Sequence, residues 1–154
     1  MPHINEKIDY TVETFIVYNG RVLLRKHDKY NMWLSVGGHI ESDEDPNEAA
    51  VREVKEEVGL DVELYSRTDS SPSIRESYKE LIPPRFMNRH NITETHEHIT
   101  LVYFAKSKTN KIEQSETERS KECRWFTAEE IDDPKYGIDE NIRVYAHSAL
   151  ETLV

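Results

Sequence analysis

The chain has 154 residues, 36% of them hydrophobic and 32% charged, which is one domain's length with enough apolar material to bury a core. Its formal charge of −10 argues against nucleic acid as a partner, because binding a phosphate backbone without regard to sequence requires a basic face. No apolar run is long enough to span a bilayer, and the start MPHINEKIDY has neither a basic region nor an apolar one, so a cytoplasmic protein with no membrane partner is expected.

Residues 10–18 alternate β-branched and aromatic side chains, Asn19-Gly20 gives the signal of a type I′ turn, and residues 21–25 return as a second strand. Residues 27–32 are polar and loop-like. A short apolar run over 33–36 then delivers the chain to Gly37-Gly38, where two missing side chains permit close backbone approach to a ligand or ion. Lys26 and His27 read as surface residues, although a basic group near these glycines can meet phosphate.

A helix follows with complete punctuation: Asp45 as N-cap, Pro46 at the first helical position, Glu48 closing a capping box, and Gly59 ending it. Ala50, Val51, Val54 and Val58 share one face, while Glu53, Glu56 and Glu57 share another at spacings of three and four. Like charges so placed cost about 0.2–0.5 kcal/mol per pair, and Glu56 and Glu57 also meet the negative end of the helix dipole. The arrangement works against the helix. With Ala49 between the carboxylates leaving room for ions, an all-oxygen cluster of this kind suits a hard, partly hydrated cation, Mg2+ or Mn2+; a solvated acidic face is the plainer alternative.

Residues 62–65 read as a strand. Residues 66–84 hold Ser-Ser-Pro-Ser and Pro83-Pro84, so a long loop is expected, with one helical turn around 75–81 and a role in selecting substrate. Tyr78 in that loop reads as local packing. Two strands follow over 85–92 and 97–106. His96 and His98 project from one strand face and could form part of a transition-metal site, but no third ligand is suggested nearby, and hydrogen bonding or substrate contact is the expected role. Residues 110–119 form a polar connection and 122–126 a further strand. Cys123 is the only cysteine, which excludes an internal disulfide and a cysteine-based zinc cluster, and it reads as a packed residue rather than a nucleophile. Thr127 and Glu130 outline a capping box, and Ile142, Tyr145, Ala146, Ala149, Leu150 and Leu153 give a C-terminal amphipathic helix.

Counted from Gly38, the stretch GHIESDEDPNEAAVREVKEEVGL places five residues before Glu44, seven before Arg52-Glu53, then apolar Val54, Glu56-Glu57 after one residue, and Gly59 and Leu60 after one more. It matches the pattern GX5EX7REUXEEXGU, U being apolar, at every specified position, so the chain resembles the Nudix hydrolases. Asp43 stands where many members carry glycine.

The resemblance implies a single α+β domain over residues 1–154, a Nudix sandwich with a mixed sheet between helices. It implies Mg2+, with Mn2+ as substitute, held by Glu53, Glu56, Glu57 and a backbone carbonyl at Gly37 or Gly38, with one glutamate able to act as base. Arg52 would orient the glutamates through Glu48, Glu56 or, as the family suggests, Glu44. Some members add a glutamate from outside the box; Glu97 leads here, ahead of Glu94, Glu116 and Glu118. The implied activity is metal-assisted attack of water on a phosphoanhydride of a nucleoside diphosphate linked to another moiety, with homodimer formation left open. Nucleoside triphosphates, ADP-ribose-like compounds and dinucleoside polyphosphates are all compatible substrates. A non-catalytic nucleotide sensor is the alternative, disfavoured because a sensor has no need of the carboxylate cluster.

Overall fold

The computed structural model describes residues 3–67, 74–75, 77–116, 120 and 122–154. Strand β1 (Ile8–Tyr18) turns into β2 (Arg21–His27) through Asn19 and Gly20, whose φ values of 50° and 75° are both positive, as a type I′ turn requires. β3 (Met32–Leu34) pairs back on β2, and β4 (Val36–His39) pairs antiparallel with β1. One edge of β1 is thus shared, with β4 opposite residues 11–14 and β2 opposite 17–18.

The other edge of β1 runs parallel to β9 (Glu97–Ser107), from Ile8 opposite Glu97 to Val17 opposite Lys106. β8 (Phe86–Asn91) and β5 (Val62–Leu64) join β9 antiparallel, and β10 (Glu122–Phe126) joins β2, which completes, among the described residues, an eight-stranded mixed sheet. Helix α1 (Pro46–Val58) covers one face and α3 (Glu140–Thr152) the other, with the short α2 (Ala128–Ile131) beside α3. This is the expected α+β sandwich.

Alternation along β1 decides which layer each side chain enters. Phe15 and Val17 pack with Phe104, Phe126, Ile142 and Ala146 on the α3 side. Val12 meets Ala49, Ala50 and Tyr103 on the α1 side, and Ile16 meets Val54 and Val58 there. Full burial of a Phe or Ile is worth about 1.5–3 kcal/mol, so both layers contribute to holding the sheet between its helices.

The caps of α1 form as the sequence predicts, with Asp45 accepting the Glu48 N–H at 2.8 Å and Gly59 left-handed at φ 71°. Its buried stripe differs from the expectation. Val51 is 39% exposed, whereas Ala49, Glu53 and Glu57 are buried beside Ala50, Val54 and Val58. Ala49 therefore packs into the core and does not space the carboxylates. The helical turn expected around 75–81 is a small hairpin of β6 (Ile74–Arg75) and β7 (Tyr78–Lys79), with Arg75 opposite Tyr78 and its guanidinium 5.8 Å from the ring centre. A helix had no apolar stripe to bury there, since Tyr78 and Leu81 are both exposed. Among the described residues no helix is long and apolar enough to cross a membrane.

Candidate active site

Arg52 organises the carboxylates of α1. Its Nε and Nη2 donate to the two oxygens of Glu44 at 3.0 and 2.8 Å, a bidentate pair, and Nη2 also donates to the His39 carbonyl at 3.0 Å. Its Nη1 donates to Glu53 at 3.1 Å and to Glu56 at 3.0 Å. Of the three partners the sequence allowed, Glu44 and Glu56 are used, while Glu48 stays in the helix cap. The Arg52 hydrogen bonds hold the Glu44 carboxyl below its usual range.

Glu57 points into the sheet and is ion-paired with Arg25 of β2, both side chains being largely buried. The patch is therefore not the set of mutually repelling anions that the spacing suggested. Glu53 and Glu56 face Arg52 and Glu57 faces Arg25, so opposite charge replaces the repulsion. Glu53 is 1% exposed and lies against Gly38, where an added Cβ would stand 2.3 Å from its Oε1. Only glycine lets β4 close on that carboxylate. The preceding loop turns at Asp43, which has φ 66°, a left-handed conformation that Asp tolerates better than most residues and that glycine adopts freely.

Beside the patch opens a cavity of about 630 Å³, whose wall includes Arg25, Glu57, Gly37, Gly38, His39 and His98. Glu13 also lines it, with the Ser35 hydroxyl donating to its Oε1 at 2.5 Å. Burial raises the Glu13 pKa, and the Ser35 hydrogen bond opposes the shift. Sequence reading passed over this residue. Its signal was a second charge after Asp9 on the inward row Asp9, Thr11, Glu13, Phe15, Val17 of β1.

The outside glutamates fare differently. Glu97 is ion-paired with Arg89, and the cavity wall includes Arg89 but not Glu97. Glu94 and Glu116 are exposed in loops, and Glu118 lies outside the described residues. The loop over 66–84 also falls partly outside them; its far end is pinned to α1, where the Asn47 side chain exchanges hydrogen bonds of 2.9 and 2.8 Å with the Ile82 backbone. Cys123 is half-buried against Ile16 and Leu23 and accepts from Gln114 at 3.1 Å, in keeping with a packed residue.

The histidines that sequence reading left without a third partner do have company. In the parallel register His98 lies beside Asp9 and, across β8, opposite His90, while His96 closes over the same Asp9 with Nε2 3.3 Å from Oδ2. His39 Nε2 and His3 Nδ1 stand 3.0 and 3.4 Å from that oxygen. Burial alone would raise the Asp9 carboxyl, but the N–H groups of Asn5 and Ile4 and the nearby His39 and His96 overcome it and hold the pKa at about 2. Burial, followed by the neighbouring His39, His90 and His96, lowers His98 to about 4, so its imidazole is neutral at pH 7.

The NUDIX domain family model matches residues 10–147. A crystal structure of a hydrolase of the NUDIX family from Clostridium perfringens superposes with a TM-score of 0.84 at 35% identity, covering 98% of this chain and all of that one. The structure of the E. coli dihydroneopterin triphosphate pyrophosphohydrolase shares the fold, with a TM-score of 0.62 at 18% identity, over 96% of this chain and 97% of that one. In sequence, the dihydroneopterin triphosphate diphosphatase of Haemophilus influenzae is 39% identical over 92 residues, 58% of this chain and 54% of that protein, so the match spans about half the length of that relative. With the box, the sandwich and a family match over most of its length, the chain belongs to the Nudix hydrolases.

Proposed function

We propose that the protein is a divalent-cation-dependent pyrophosphohydrolase acting on a small polyphosphate linked to a nucleoside or pterin, in the cytoplasm. The observation that carries this reading is the carboxylate set of α1, in which Arg52 holds Glu53 and Glu56, Glu53 lies against Gly38, and Glu57 with Gly38 lines a cavity of about 630 Å³, a volume within the usual range for small-molecule sites. The donor set is oxygen only, which fits Mg2+ or Mn2+: Glu53, Glu56, Glu57 and the Gly38 carbonyl would hold the ion. Such an ion, when bound, neutralises phosphate charge and acidifies an attacking water.

The chain's own groups do the rest. Arg52 positions the glutamates, and Arg25 and Arg89 on the cavity wall offer guanidinium groups to phosphate oxygens. One box glutamate, or a carboxylate from outside the box, takes the proton of the water; Glu97 is the sequence candidate, and Glu13 is the one inside the cavity. Glu13 can also accept paired N–H donors, as on the amino-pyrimidinone edge common to guanine and pterin, which accords with the substrate named for the Haemophilus influenzae relative.

The test is turnover of dihydroneopterin triphosphate, nucleoside triphosphates, ADP-ribose and dinucleoside polyphosphates with Mg2+ or Mn2+, scored for phosphate and pyrophosphate. Pyrophosphate release from a triphosphate that stops with chelator is expected. Binding without turnover across the whole panel would favour the sensor reading.

A further inference from the structure

His96 has an unusual hydrogen-bonding state. Its Nδ1 lies 3.0 Å from the Glu6 carbonyl, which can only accept, so Nδ1 donates there and Nε2 is the ring atom turned inward. That Nε2 is buried, makes no hydrogen bond, and faces the Asp9 carboxylate at 3.3 Å. A buried ring nitrogen that faces a carboxylate with no hydrogen bond between them calls for a cation, either a proton on the nitrogen or a metal ion held by both groups. His98 presents a second buried Nε2 that makes no hydrogen bond, and His3 brings Nδ1 to 3.4 Å from Asp9 Oδ2.

Ligand atoms of His3, Asp9, His96 and His98 all lie within 4.8 Å of one another. A tetrahedral ion with metal–ligand bonds of about 2.0–2.1 Å requires neighbouring ligands roughly 3.4 Å apart, which the two Asp9 distances already meet. The surroundings have the form of a metal site's supporting shell. The Glu6 carbonyl fixes the His96 tautomer, while His39 and the N–H groups of Ile4 (3.0 Å) and Asn5 (2.6 Å) hold the Asp9 carboxylate in place.

We propose that His3, Asp9, His96 and His98 form a four-ligand site for a transition-metal cation, zinc first, distinct from the oxygen-only patch of α1. Three imidazoles and one carboxylate favour zinc over magnesium, which prefers oxygen and retains its water. Four protein ligands make a closed, structural site. Its ion ties the segment around His3 to β1 and the start of β9, beside the cavity wall that His39 and His98 help to form. The site does not depend on the hydrolase reading.

The decisive experiment strips the purified protein of metal, equilibrates it with Zn2+ in the presence of excess Mg2+, and counts retained zinc by mass spectrometry. Co2+ absorption then reports the geometry. One zinc per chain is expected, with the intense visible bands of tetrahedral Co2+. His96→Gln should weaken binding by at least about a hundredfold, and His3→Ala, an exposed change that leaves the core intact, by at least about tenfold. Glu53→Gln should retain the zinc, and zinc should raise the Tm of that variant but not of His96→Gln. No zinc retained against Mg2+, zinc lost with Glu53→Gln but kept with His96→Gln, or affinity unchanged in both histidine variants would each overturn the proposal.

Discussion

Arg52, Glu53, Glu56 and Glu57 come from two turns of α1, whereas His3, Asp9, His96 and His98 are gathered from the segment before β1, from β1 itself and from the start of β9. Both groups border the same cavity through Glu57 and His98. The helix supplies its cluster by spacing alone, since residues three and four apart are neighbours on any helix. The histidine cluster needs the parallel register of β1 and β9 before His96 and His98 can meet Asp9 and His3. The chemistry divides along the same line. Carboxylates on one helix repel and require Arg52 and Arg25 to hold them together, while imidazoles can meet Asp9 without that penalty.

The sharpest test of this contrast is Glu57→Gln. Losing this proposed cation ligand should reduce turnover measured with Mg2+ by more than about a hundredfold, equivalent to roughly 3 kcal/mol of transition-state stabilisation. The same change should destabilise the cation-free protein by about 3 kcal/mol in urea denaturation, because it removes the buried anion that Arg25 faces. The sequence alone suggested the reverse, a fold unchanged or slightly firmer once a repelling charge is gone. Unchanged or higher stability would restore that picture and make the Arg25 pair incidental.

Arg52→Lys keeps the charge but loses the fork that spans Glu44, Glu53 and Glu56. A fall in kcat of about 10–100-fold with a weaker apparent affinity for Mg2+ is expected from steady-state kinetics at varied Mg2+. If kcat falls while the Mg2+ dependence stays put, Arg52 acts on substrate rather than on the ligands.

Glu13 and Glu97 separate the tertiary assignment from the linear one. Glu13→Gln should lower kcat/KM by about tenfold or more, the cost of a lost charged hydrogen bond inside a cavity, whereas Glu97→Gln should change it by less than about threefold. The opposite ranking would return the outside carboxylate to Glu97. The smallest effect belongs to the loop ahead of α1. Asp43→Gly should raise stability by no more than about 1 kcal/mol, since relief at φ 66° is partly offset by a looser unfolded chain, and Asp43→Val should lower it by about 1–2 kcal/mol.

The elements readable in the chain are those whose causes lie within a few residues. Asn19-Gly20 fixes the hairpin, Asp45, Pro46, Glu48 and Gly59 fix the helix ends, and Thr127 with Glu130 opens α2, all through local backbone needs. The box spacing likewise presented its carboxylates before any fold was known. Tertiary structure decided which of them are buried, because Val51 and Ala49 exchange their expected roles only once α1 lies on β1 and β4. It also decided the partners. Arg25 of β2 meets Glu57 of α1, Ser35 meets Glu13, and Thr11 meets Thr100 at 2.7 Å across a parallel pairing that joins residues 89 apart. His96 and His98 were legible as a pair on one strand face, expected to hydrogen-bond or touch substrate; Asp9, with His3 beside it, reached them only through register, a property of the assembled sheet that no local spacing encodes.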